Sequence, residues 1–297
     1  MSRASVIPEP GAFSPSEDSS TGVVAPKEAA FLDKVREFLL RSGSLDIAPY
    51  QKRYLLRRLA VRQRALGLPG SAEYLRHLEE TPEELPLCLE ALTINVTEFF
   101  RDLALWEFLR RDLFPALATE AEAEGRGVLR AWSAGCASGE EAFSLAILLS
   151  VALESTPGLA WEVLGTDVDE GALRKCREAL YPEQKIESVP KSLRPRHFVP
   201  AGRDGWRVVP RLQTHVKFFR QDLLCESIKA DMDIILCRNV LMYFDAPLQT
   251  EILKNLDACL RPGGRLVLGP VDRLGDELRA RYEVVSAEHK VFRKPLS

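Results

Sequence analysis

Two periodicities divide the chain. From Ala29 to Glu90, apolar residues recur at helical spacing in four runs: AAFLDKVREFLLRSG, YQKRYLLRRLAVRQRALGLPG, SAEYLRHLEETP and EELPLCLEAL. Gly43, Gly67 and Gly70 punctuate them, as glycines just past helix ends do. This pattern predicts a small all-helical domain over residues 28–93. A fifth run, DLALWEFLRRDLFPALATEAEAEG, predicts a helix leading into the first strand. After Gly125 the pattern changes. Short runs rich in Val, Leu and Ile (GVLRAW, WEVLGTDVD, HVKFFRQDL, DMDIILCRN, GGRLVLGP) alternate with helical segments, which predicts crossover units, a mostly parallel sheet and an α/β domain over residues 94–297. An insertion at about 181–218 separates the second and third of these runs. In it, RHFVP and GWRVVP flank the turn-forming AGRDG and predict a small antiparallel hairpin. The tail YEVVSAEHKVFRK predicts a closing antiparallel hairpin at the sheet edge.

Residues 1–27 are rich in Ser, Pro, Gly and Glu and bury too little to order themselves, so they are expected to form a disordered tail. The remainder has the composition of a soluble globular protein. A formal net charge of −3 argues against a general nucleic-acid binder but leaves local patches open. The amino terminus lacks the apolar core of a secretory signal. The longest apolar run, FSLAILLSVAL, is broken by serines and too short to span a bilayer. Six scattered cysteines without a Cys-x-x-Cys pair, and four isolated histidines, predict free thiols and no metal site in a cytoplasmic protein.

Chemistry concentrates in WSAGCASGEEAFSL, which places small residues between a predicted strand and a predicted helix. A Walker loop would need a lysine where Glu140 stands, and the glycine spacing does not match the dinucleotide fingerprint. Glycines still permit close approach of a ligand. Glu140 and Glu141 favour hydroxyls, ammonium groups or a nearby cation. A phosphate-free, positively charged nucleoside, S-adenosylmethionine (SAM), meets these demands; the alternative is that both acids merely complement the helix dipole. Asp167 follows the second predicted strand, Asp222 ends the third, and Arg238 and Asn239 follow the fourth. Such strand ends line the ligand crevice of an open α/β sheet. Singly, Asp167 and Asp222 read equally as helix caps, Arg238 as a surface charge and Asn239 as a turn former. Together they converge on one crevice.

NVTEFFRD, GCASGEEAFSLA, TDVD, ILCRNVLMYFD and LRPGGRLVLG occur in this order and resemble motifs of the CheR-type chemotaxis receptor methyltransferases, which are protein-glutamate O-methyltransferases. The resemblance runs from about Phe31 to Lys294. It implies a Rossmann-like SAM-dependent methyltransferase domain behind a helical receptor-docking domain, with the insertion as its β-subdomain. By motif, the implied cofactor contacts are Asn95, Thr97, Arg101, Glu141, Asp167, Asp222, Leu223, Cys237, Arg238 and Asn239. The implied product is S-adenosylhomocysteine. Three departures stand out: Asp222 for the usual asparagine, Ala142-Phe143 for Pro-Tyr, and Gly269-Pro270-Val271-Asp272 for Gly-His-Ser-Glu.

The family's acceptor is a receptor glutamate, a side chain with a pKa of about 4.3, already ionised at neutral pH and in no need of a base. Arg101 is implied to orient that carboxylate and Tyr243 to hold it through its hydroxyl. A salt bridge of Arg101 with Asp102 or Glu98, and core packing of Tyr243, are the alternatives. The second helical run carries Lys52, Arg53, Arg57, Arg58, Arg62 and Arg64 and no acid, with Leu55, Leu59 and Leu66 at helical spacing. It reads as a solvated face or as a dock for the acidic helical bundle of a chemoreceptor cytoplasmic domain, the resemblance assigning recognition to Arg58 and Arg64. The expected enzyme is a monomer, with no nucleic-acid partner and no membrane insertion. The rivals are a SAM-dependent methyltransferase of RNA or a small molecule, and a non-catalytic receptor adaptor.

Overall fold

The computed structural model describes residues 24–93, 95–225 and 231–296. Most of the expected disordered tail lies outside them. The chain divides into two compact units, Met1–Leu92 and Thr93–Ser297.

The first unit packs four helices, α1 (Pro26–Arg41), α2 (Lys52–Ala65), α3 (Ser71–Glu80) and α4 (Glu84–Leu92). Pro26 opens α1, where its missing N–H costs nothing, and the Glu28 carboxylate accepts the Ala25 N–H at 3.1 Å. Gly43 and Gly67 follow α1 and α2 in the left-handed region expected of them. Gly70 does not: its extended φ of −169° makes it the residue that precedes α3 rather than one that ends α2. The basic face of α2 is also smaller than its sequence suggests. Arg62 lies three residues beyond Leu59 and seven beyond Leu55, on the same stripe, and is buried with them. It grips Glu84 with two bonds of 2.7 and 2.5 Å, and Glu84 accepts a third from the Tyr74 hydroxyl at 3.1 Å. Arg58 is half-buried and donates to the Ala91 carbonyl at 2.7 Å. Lys52, Arg53, Arg57 and Arg64 remain exposed.

The second unit is built on ten strands: β1 (Val128–Ala134), β2 (Ala160–Asp167), β3 (Leu180–Tyr181), β4 (Phe198–Pro200), β5 (Trp206–Val208), β6 (Val216–Arg220), β7 (Met232–Cys237), β8 (Leu260–Leu268), β9 (Glu283–Ser286) and β10 (Val291–Arg293). Seven form one sheet in the order β6-β2-β1-β7-β8-β10-β9. The five from β6 to β8 are parallel, and β10 runs antiparallel to both of its neighbours. The order reverses direction between β1 and β7, so the switch point lies beyond their carboxyl ends. The carboxy-terminal hairpin closes the sheet edge as expected, with β10 paired to β8 and β9 outermost. The LRPGG segment, expected as a turn before the last parallel strand, belongs to β8 and shifts its register against β7.

The helix after β1, Glu140–Ala152, is buried along almost its whole length and packs on β1 and β2, as a helix apolar on all sides must. The helix preceding β1 is broken where one continuous element was predicted. Leu103–Phe108 and Phe114–Ala123 are joined by a π turn over Leu109–Leu113. Pro115 has no N–H to return to the preceding turn, which accounts for the loosened ladder. The insertion holds a three-stranded antiparallel sheet, β3-β5-β4, of which the sequence pattern gave only β4 and β5.

Candidate active site at the carboxyl ends of the parallel strands

The turn after β1 is pinned to the end of β2. The N–H groups of Gly135 and Cys136 both donate to the Thr166 carbonyl, at 2.8 and 2.9 Å. The next, Ala137, donates to Asp167 Oδ2 at 2.8 Å. Gly135, Ala137 and Gly139 all have positive φ. At Gly135 a Cβ would stand 2.4 Å from Val240 Cγ2, so the first residue beyond β1 must be glycine on both backbone and steric grounds.

Four carboxylates surround this turn, and each has a different task. Asp167 does not cap the following helix: it takes Ala137 N–H on one oxygen and Asp169 N–H, at 3.0 Å, on the other. Asp169 is the cap, receiving Gly171 and Ala172 N–H on Oδ1. Its Oδ2 receives the Thr93 hydroxyl at 2.8 Å and the Asn95 amide at 2.7 Å. With its NH2 thus spent on a carboxylate, Asn95 keeps its amide oxygen for another donor. Glu140 is 1% exposed and accepts Ser138 Oγ at 2.7 Å, with Lys185 Nζ of the insertion at 3.2 Å. Glu141 accepts Ser133 Oγ at 2.7 Å, and Arg238 Nη1 lies 3.4 Å from its other oxygen. Burial pushes the carboxyls of Asp167, Glu140 and Glu141 above their ordinary range, against the pull of these donors. For Glu141 the opposing pull comes chiefly from Arg238, with a smaller share from Arg101. Dipole complementation is thus not the whole of either glutamate's environment.

The segment from Asn95 to Asp102 is laid across these groups. Phe99 is buried edge-on between Tyr181 and Phe198 of the insertion, with ring centroids 4.9 and 5.3 Å away. The Thr97 carbonyl accepts from Lys185 Nζ. Phe100 N–H donates to Ser144 Oγ at 3.0 Å. Phe100 and Asp102, the two neighbours of Arg101, both have positive φ. Among the described residues Arg101 forms no ion pair with Asp102 or Glu98; its guanidinium reaches the Val96 carbonyl at 3.5 Å. Asp102 pairs instead with Arg238, whose guanidinium is buried and is no surface charge.

A model of the CheR methyltransferase SAM-binding domain matches residues 95–291, and one of the CheR methyltransferase all-alpha domain matches residues 30–93. The chain belongs to the CheR methyltransferase family. It is 38% identical over 245 residues to chemotaxis protein methyltransferase 2 of Pseudomonas aeruginosa, covering 80% of this chain and 84% of that one. It is 31% identical over 257 residues to the chemotaxis protein methyltransferase of Salmonella typhimurium (84% and 86% covered). The corresponding Escherichia coli protein is 31% identical over 247 residues (81% and 83%).

The remaining CheR motifs settle at the same sheet end with different surroundings. Cys237 closes β7 and is fully buried, its thiol pushed well up by burial. Asn239 is in the left-handed region, the turn-forming conformation. Asp222 lies two residues past β6 rather than ending it, and its carboxylate closes its own turn by accepting Leu224 N–H at 2.9 Å. Leu223 is buried and its carbonyl accepts from Asn255 at 2.9 Å. Tyr243 is half-buried in a single 3-10 turn, Leu241–Tyr243. In the divergent Gly269-Asp272 segment, Asp272 turns inward and accepts Gly269 N–H at 3.1 Å and a backbone bond from Asn239. Arg58 and Arg64 belong to the helical unit. Sequence reasoning missed Ser133, Asp169 and Lys185. The aspartate three residues before Ala172 carried a capping signal; Lys185 had none, because its partners are distant in the chain.

The chain's SAM-binding domain fits its cofactor chemically. Its loop holds no lysine, and its carboxylates at Glu141 and Asp167 carry a burial cost that a cationic ligand relieves.

Proposed function

We propose that this protein transfers a methyl group to glutamate side chains of chemoreceptor cytoplasmic domains, forming glutamyl methyl esters for sensory adaptation. It acts as a monomer in the cytoplasm. Among the described residues no helix is long and apolar enough to cross a membrane. The observation that carries the reading is Arg101: a guanidinium held between two backbone-strained neighbours, with no ion-pair partner among the described residues. Such a group is ready for a carboxylate.

SAM, when bound, supplies an electrophilic methyl on a sulfonium. Asp167 and the Asn95 amide oxygen are placed to accept its hydroxyl or amine donors, and Glu141 to face its positive charge. Asp222, Leu223 and the Cys237–Asn239 segment close the far side of the crevice, and Thr97 borders it. Arg101 orients the acceptor carboxylate and Tyr243 steadies it. No base is required, since the acceptor is already ionised at neutral pH. What remains is positioning, worth roughly 7–11 kcal/mol in the best model systems.

The exposed basic residues of α2, with Arg58 and Arg64 as recognition positions, dock the acidic helices of the receptor. The deciding experiment transfers labelled methyl from SAM to a receptor cytoplasmic fragment and then treats the product with mild base. Volatile label is expected. A base-stable product would favour an RNA or small-molecule acceptor, and SAM binding without any transfer would favour an adaptor.

A further inference from the structure

Arg238 is the most tightly held cation in the crevice: its side chain is 2% exposed. Its Nη2 donates to Asp102 Oδ2. Its Nη1 lies 3.3 Å from the Arg101 carbonyl and 3.4 Å from Glu141 Oε2. Its Nε is buried without a partner. A guanidinium buried with one donor unmet is poorly explained by stability, because removing an ion pair from water repays its cost only when every donor is satisfied. What the arrangement provides is location.

The located object is the backbone of Arg101. Phe100 and Asp102 have φ of 55° and 66°, each costing about 1–3 kcal/mol for a residue other than glycine and persisting only where neighbours over-determine it. On one side, Phe100 N–H is tied to Ser144 Oγ at 3.0 Å, and that hydroxyl is tied to the Glu140 carbonyl at 2.7 Å. On the other, the Arg101 carbonyl receives the Trp106 indole at 2.7 Å and Arg238 Nη1, while Arg238 Nη2 holds the Asp102 carboxylate. The peptide is clamped from both ends and the guanidinium of Arg101 left for the crevice.

We propose that Arg238 is a positioning residue for methyl transfer: through Asp102 and the Arg101 carbonyl it fixes the pose of Arg101, and its own guanidinium does not bind the cofactor. The assignment rests on the methyl-transfer reading of the site. It differs from the role implied for Arg238 by motif, that of a cofactor contact.

The test is a cycle of Arg238→Lys, Asp102→Asn and Arg101→Ala, singly and in pairs. It is run on whichever acceptor the wild-type enzyme methylates, with SAM affinity measured by calorimetry. A missed pose of about 1 Å costs on the order of 100-fold in rate. Arg238→Lys and Asp102→Asn should therefore each lower kcat by roughly 10- to 100-fold, with the SAM Kd changed by less than about threefold. Asp102 is half-exposed, so its variant keeps the test open should Arg238→Lys fail to fold. In the Arg101→Ala background neither should lower kcat further. The proposal is overturned if SAM affinity falls in step with kcat, if the losses multiply in that background, or if Arg101→Ala turns over normally. Failure of the glutamate reading shows separately, as a base-stable product of the wild-type enzyme.

Discussion

Arg101, proposed to orient the acceptor, is a residue whose loss should touch chemistry far more than folding. Its side chain is half-exposed and makes one long bond to a carbonyl, so its removal leaves no buried partner stranded. Arg101→Ala should lower kcat by about 10²–10³, the range for losing one preorganised donor, and leave the melting temperature within a few degrees. Turnover and thermal unfolding of the variant check both halves. Asp167 and Glu141 make a second prediction, in pH. Burial raises both carboxyls, so each opposes folding once pH exceeds its unfolded value, and the cost is complete above its raised folded value. A cationic ligand favours their charged forms and offsets that cost. SAM should therefore bind with proton release, and its affinity should fall as pH drops through the window that opens above the ordinary carboxylate range of about 4. Asp167→Asn should flatten that dependence. Calorimetry in buffers of different ionisation enthalpy measures the released protons, and an affinity flat across the window would remove both groups from the cofactor's surroundings.

At the level of elements, what the sequence displayed was what local spacing encodes. β1, β2 and β7 were legible because each is a short Val-, Leu- or Ile-rich run bounded by turn signals, and the strand-end landmarks Asp167, Arg238 and Asn239 were legible with them. β3, two residues long and set directly behind a helix, had no period to show. Asp222 was placed at the wrong point because β6 stops at Arg220. Arg62 was misread for a different reason: its partner Glu84 lies in another helix, and charge patterning along α2 alone carries no sign of it. That pair yields a prediction. Arg62→Ala strands a carboxylate that is 2% exposed and should cost about 3–5 kcal/mol, whereas Arg64→Ala, on the exposed face, should stay within about 0.5. Denaturant unfolding of the two variants separates them. The turn after β1 behaves in the opposite way to α2, since its glycines announce the constraint directly. Gly135→Ala meets Val240 at 2.4 Å in a left-handed conformation and should weaken SAM binding roughly 5- to 150-fold, through strain and displacement of about 1–3 kcal/mol. Gly43→Ala is the control, with a φ of +67° and nothing within 4 Å of its added methyl, and should leave SAM affinity unchanged.

Across the whole molecule the charges pose a problem that the crevice does not solve. The enzyme carries a formal net charge of −3, and its crevice presents Glu141, Asp167 and Asp222, yet the proposed acceptor is a carboxylate on an acidic helical surface. Those acids suit a cationic cofactor and repel the second substrate. Arg101 answers the single acceptor carboxylate, and attraction for the rest of the acidic receptor surface is expected from outside the crevice. The face of α2 that bears Lys52, Arg53, Arg57 and Arg64, with Arg58 half-buried at its margin, collects positive charge and no acid. Such a face raises the rate of encounter more than the strength of the docked complex, and salt screens it over a Debye length of about 10 Å at 0.1 M. Raising ionic strength from about 0.05 to about 0.5 M should therefore lower kcat/KM for the receptor several-fold, leaving kcat and SAM affinity nearly constant. Charge reversal at Arg64 and Arg58 should reproduce much of that loss at low salt and weaken the remaining salt dependence. Arg64 is exposed and should act through charge alone, while Arg58 also gives up its bond to the Ala91 carbonyl, so the single Arg64→Glu variant is the cleaner measurement. A methylation rate indifferent to both salt and Arg64→Glu would mean that recognition lies elsewhere on the enzyme.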